Sequence, residues 1–127
     1  MRVLVQMLTC LLSTVVLTAC SQDSEDNLFP PGGCDTTAVT YALHVEPLLQ
    51  NQCYSCHSGA AAPVAGSGIV LEGHAAVASF LNSASAVFLG SLNHSPGFSP
   101  MPKGGAKLSA CDLQRLQVWI NSGFPDN

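Results

Sequence analysis

The chain has 127 residues, with four Lys and Arg against eight Asp and Glu and a formal net charge of −4. That length fits one small domain with a short appendage and excludes a large multi-domain assembly. The deficit of cations excludes nucleic acid as a partner, because phosphate binding needs a surplus of Lys and Arg, and it makes a basic protein surface the complementary partner.

Met1-Arg2 is a short basic start, Val3 to Leu17 is almost wholly apolar or hydroxylated, and Leu17-Thr18-Ala19 closes the run with small residues before Cys20. Residues 1–19 therefore read as a signal peptide too short for a comfortable membrane span, with an uncleaved apolar anchor as the alternative. The Leu-Thr-Ala-Cys ending resembles the lipobox of bacterial lipoproteins, which implies that Cys20 is lipidated and becomes the mature N-terminus. Either way the protein is expected to be exported and membrane-anchored in the cell envelope, on the periplasmic side or at the cell surface. Residues 20–33 carry Asp23, Glu25 and Asp26, then Pro30-Pro31-Gly32-Gly33, and read as a flexible tether. The acidic stretch is either solvated linker or, by resemblance, a signal for display on the outer face of the outer membrane.

The domain is expected over residues 34–127. Asp35-Thr36-Thr37 offers cap-type residues, and Tyr41, Val45, Leu48, Leu49 and Cys53 follow at spacings of three and four, the pattern of an amphipathic helix. Pro47 interrupts it, since a proline lacks the N–H that would bond residue 43, so the spacing predicts a first turn, a kink and a second piece from Leu48 to His57. His44 reads as an ordinary surface or core histidine. The second piece ends in Cys53-Tyr54-Ser55-Cys56-His57. C-x-x-C-H is the spacing of covalent haem attachment: two thiols near a helix end each add to a vinyl group, and the adjacent imidazole meets the iron. A reducible dithiol or half of a zinc site are the alternatives. The first needs a βαβ context and the second another ligand pair, whereas His44, His74 and His94 stand singly and no second C-x-x-C occurs.

Ser58 to Ser67 is small and turn-rich, suited to backbone passing close to a flat cofactor. Ile69-Val70-Leu71 is too short to assign, and is expected to touch the haem. Ala75-Ala76 and Phe80-Leu81 predict a short helix from Glu72 to about Asn82, and Val87-Phe88-Leu89 with Leu92 a second helical piece. Asn93 to Gly105, with Pro96, Pro100 and Pro102, is an ordered loop holding Met101. Ser109 as N-cap, Asp112 at the third helical position, Leu108 placed against Leu113, the face Leu113, Leu116, Trp119 and Ile120, and Gly123 as stop define a last helix.

The six cysteines divide without remainder. Cys10 leaves with the apolar run, Cys20 is the lipid site, and Cys53 and Cys56 belong to the haem motif. Cys34 and Cys111 are then expected to pair in a compartment where disulfides persist, which would stabilise the fold by about 4 kcal/mol in the chain-entropy account. Two unpaired buried thiols are the alternative.

A helix before C-x-x-C-H, a long loop holding a methionine and a terminal amphipathic helix ending in Trp119-Ile120 resemble the class I cytochrome c fold over about residues 34 to 125. The Cys34-Asp35-Thr36 start and the loop from Asn93 to Gly105 are similar to those of bacterial monohaem c-type lipoprotein domains. The resemblance implies an all-α domain wrapped around one covalent haem c, first and last helices crossing near it, and Met101 as the second axial ligand beside His57. The competing readings are His94, in the same loop, as ligand, or Met101 as ordinary packing; with Met101 in place, His94 and Lys103 become candidates for holding a haem propionate. One departure is the absence after His57 of the family's Gly-Pro stretch that orients the proximal ring. No clustered catalytic residues are visible. The expected function is therefore not enzymatic but electron transfer with redox partner proteins; the alternative is a haem-based ligand-binding or sensor module in which Met101 is displaced.

Overall fold

The computed structural model of the protein describes residues 33–127. The signal peptide, Cys20 and all but the last residue of the tether lie outside the described residues. Cys34–Asn127 forms a compact unit. Its elements are a π-helical turn, Tyr41–Val45, followed by four α-helices: α1 (Glu46–Gln52), α2 (Tyr54–His57), α3 (His74–Leu92) and α4 (Ala110–Asn121). Among the described residues there is no strand, so this part of the chain is all-α.

Pro47 shapes the first helical run. It cannot donate to the carbonyl of residue 43, and the backbone ahead of it widens so that the Glu46 N–H reaches the Tyr41 carbonyl, a π-type bond. Pro47 itself then falls in the first turn of α1, where a missing donor costs little. The cap is not in the Asp35-Thr36-Thr37 group that the sequence suggests. Thr40 takes that role, accepting from the Leu43 N–H at 3.3 Å. Asp35 instead closes a local turn, its Oδ1 accepting the Thr37 N–H at 2.9 Å and the Thr37 hydroxyl at 2.7 Å. These bonds, the backbone one first, hold its carboxyl below the usual range. The opening N–H groups of the helical run are covered from the far end of the chain: Tyr41 N–H donates to Asn127 Oδ1 at 2.8 Å and Ala42 N–H to the Asn127 carbonyl at 2.9 Å. The piece expected to run unbroken from Leu48 to His57 is divided at Cys53, whose φ of −123° departs from helical geometry.

The two expected helical pieces between Glu72 and Leu92 are joined in α3 across a kink at Ala84, with φ −140° and ψ 25°. In α4 the Ser109 side chain accepts the Asp112 N–H at 3.1 Å, and its hydroxyl donates to Asp112 Oδ2 at 2.6 Å. The other end is a Schellman motif: Gly123 N–H donates to the Ile120 carbonyl and Phe124 N–H to the Trp119 carbonyl, both at 3.0 Å. Gly123 supplies the left-handed φ of 89° that the motif demands. Phe124 then packs on Trp119, ring centroids 6.1 Å apart.

The core joins Tyr41, Val45 and Leu49 of the first run to Val77, Leu81 and Phe88 of α3 and to Leu116 and Trp119 of α4. Cys34 and Cys111 are linked by a disulfide that ties the segment ahead of the first run to the first turn of α4. Trp119 is the largest fully buried side chain; its ring lies 5.7 Å from that of Tyr41 and its Nε1–H donates to the Pro125 carbonyl at 3.0 Å. Trp119→Ala is expected to destabilise the domain by about 3–5 kcal/mol, read as a lower urea midpoint at unchanged slope.

Candidate functional site

Cys53 sits at the joint between α1 and α2, and Cys56 and His57 lie on α2. So short a helix has little stability of its own and is held by the chain that returns over it. Its last carbonyl, that of His57, accepts the Leu71 N–H at 2.8 Å, and the Tyr54 hydroxyl accepts the Gly73 N–H at 3.2 Å. The segment between, Ser58 to Ser67, folds back as successive turns.

The orientation of His57 is fixed by the same return of the chain. Its Nδ1 lies 2.9 Å from the Ile69 carbonyl. A carbonyl only accepts, so Nδ1 carries the proton and Nε2 presents its lone pair, the tautomer a metal ligand needs. The acceptor for the His57 N–H, which the sequence leaves unnamed, is thus the Ile69 carbonyl. Gly66 makes room for this contact: a Cβ there would stand 2.4 Å from the Cys56 carbonyl oxygen and 2.9 Å from His57 Nδ1. Gly66→Ala must therefore displace α2 or turn the imidazole, with an expected cost of about 1–3 kcal/mol and a changed environment at His57. Denaturant unfolding with imidazole NMR checks both.

Cys53 and Cys56 are both free thiols, in a chain whose other described cysteines are paired. Burial pushes the Cys53 thiol up to about 11, so it stays protonated at neutral pH. Cys53, Cys56 and His57 line a cavity of about 380 Å³. Ile69 and Leu71 line it from the loop, Phe80, Val87 and Phe88 from α3, and Met101, Pro102 and Lys103 from the segment before α4. Phe80 and Phe88 meet edge to face at 6.3 Å between centroids. Val70, between Ile69 and Leu71, is not on the lining.

Met101 is half-buried, and both its backbone groups are engaged at the end of α3. Its N–H donates to the Ser91 carbonyl at 3.1 Å, and its carbonyl accepts from His94 Nε2 at 3.0 Å. Of the two residues expected to hold an acidic edge group, Lys103 lines the cavity and His94 does not. His44 and His74 are also engaged elsewhere, His44 Nδ1 accepting the Thr40 N–H at 3.1 Å and His74 Nε2 donating to the Phe124 carbonyl at 2.9 Å. Among the described residues no three His, Cys, Asp or Glu side chains are grouped to hold a metal ion.

Sequence reasoning brings Cys53, Cys56, His57, Met101 and Lys103 to this site and misses the parts played by Gly66 and the Ile69 carbonyl. The small, turn-rich stretch from Ser58 to Ser67 is the available signal for the first; a backbone acceptor leaves none. No protein-family model, curated protein or solved structure matches the chain.

Proposed function

We propose that residues 34–127 form a monohaem c-type cytochrome domain, wrapped around one covalent haem c, that carries electrons between partner proteins. One observation carries this reading: two free thiols and an imidazole fixed in the ligating tautomer face one apolar cavity that Met101 also lines. The volume of about 380 Å³ lies within the range of cofactor sites. Cys53 and Cys56 would bind the group covalently, His57 Nε2 and the Met101 thioether would ligate its iron, and Lys103 would meet a propionate. The bound group supplies a one-electron couple, and soft thioether ligation favours its ferrous state. The chain's own part is to fix both ligands, keep water away with Phe80, Val87 and Phe88, and hold this arrangement through the change in charge. A structural zinc would require another ligand pair beside the two cysteines.

On this reading the protein is exported, processed at Cys20 and held in the cell envelope by lipid, with redox proteins as partners and no catalytic role of its own. The test is extraction: haem should stay with the polypeptide through acid–acetone treatment and denaturing electrophoresis. Fully extractable haem, or stoichiometric zinc in place of iron, would overturn the proposal.

A further inference from the structure

We propose that His94 is the residue that positions Met101, acting through the Met101 backbone; the inference rests on the reading of Met101 as the axial ligand. Two helices of this domain end in the same way. In α4 the N–H at the first residue past the cap, Gly123, and the N–H after it close a Schellman motif. In α3 the cap is Asn93, and His94 N–H donates to the Ser91 carbonyl at 3.2 Å while Ser95 N–H donates to the Gly90 carbonyl at 2.9 Å, the same pair of bonds. The equivalent of Gly123 is therefore His94. Its φ is 53°, a left-handed conformation that glycine adopts freely and a residue with a Cβ adopts at a cost. A side chain kept where glycine serves better points to a use for that side chain.

The use visible here is the bond from Nε2 to the Met101 carbonyl at 3.0 Å. The acceptor is a carbonyl, so Nε2 is the donor. Together with the Met101 N–H bond to Ser91 it fixes both sides of one residue to the end of a helix that also lines the cavity. Without the imidazole, Met101 would be tied by its N–H alone, within a loop that has no regular structure. His94 itself is absent from the cavity lining, so it acts on Met101 without touching the reacting group.

Three substitutions in the full, haem-loaded chain separate this role from that of a simple helix cap. His94→Ala keeps the backbone cost and loses the donor; His94→Gly removes both; His94→Gln keeps a donor of similar reach. If His94 positions Met101, Ala and Gly will alike weaken the long-wavelength sulfur-to-iron band of the oxidised protein. Both will raise carbon monoxide binding by the ferrous form about ten-fold, the scale of one lost hydrogen bond, and Gln will stay near the parent. If His94 only ends the helix, Gly will match or improve on the parent and Ala will stay near it, which overturns the proposal. Met101→Ala is the control: a response to it with none to His94→Gly defeats the positioning role alone, whereas silence in Met101→Ala defeats the ligand assignment and this inference with it.

Discussion

On the proposed reading, a chain with Cys53 and Cys56 both replaced by alanine will release all of its haem to acidified acetone and run as an unstained band when denaturing gels are developed for haem peroxidase activity. The effect is all or none, because a thioether survives denaturation and an iron–imidazole bond does not. The two thiols occupy the joint before α2 and its third residue, both on the lining of the same cavity, with His57 next in the chain. Each single replacement leaves one sulfur in place, so Cys53→Ala and Cys56→Ala should each retain stain in reduced amount. Cys34 and Cys111 are already joined to one another and supply no substitute thiol. Stain undiminished in the double variant would mean that these cysteines do not attach the group.

How much of the fold and site is legible in the sequence depends on the distance over which each feature is decided. Helix α4 is legible because all its signals lie within a turn or two: Ser109 with Asp112, the apolar face around Leu116 and Trp119, and Gly123 at the stop. Pro47 likewise announces the disturbed first run, although the resulting π-type turn needs knowledge of where the Glu46 N–H goes. The Asp35-Thr36-Thr37 group misleads because its side-chain bonds are local and satisfied without any helix, leaving Thr40 to make the cap. The covering of Tyr41 and Ala42 by Asn127 joins groups far apart in sequence and leaves no periodic trace. The site divides in the same way. C-x-x-C-H is recognised by its spacing within five residues, whereas the acceptor for His57 is a main-chain carbonyl twelve residues on, and any residue type has one. His94 is visible as an imidazole near Met101, but only the fold decides that it meets the Met101 backbone and stays off the cavity lining.

Met101→Ala is expected to open the iron. Among the described residues on the lining, Met101 is the only soft donor besides the two cysteines, and alanine is too short to replace it. The long-wavelength sulfur-to-iron band of the oxidised protein should vanish, and the ferrous form should bind carbon monoxide readily where the parent does not. The midpoint potential should fall, on the order of 100 mV, since axial ligation tunes haem couples over about 0.8 V and loss of the thioether removes its preference for ferrous iron. The sign distinguishes the alternatives. A parent protein that already binds carbon monoxide would make Met101 a displaceable ligand and favour ligand sensing over electron transfer. A silent Met101→Ala beside a His94 variant that opens the iron would mean bis-imidazole ligation, for which His94 would have to leave the Met101 carbonyl and turn into the cavity. Fold integrity is checked separately by far-ultraviolet circular dichroism, because Met101 is only half-buried and its backbone bonds to Ser91 and His94 do not depend on the side chain.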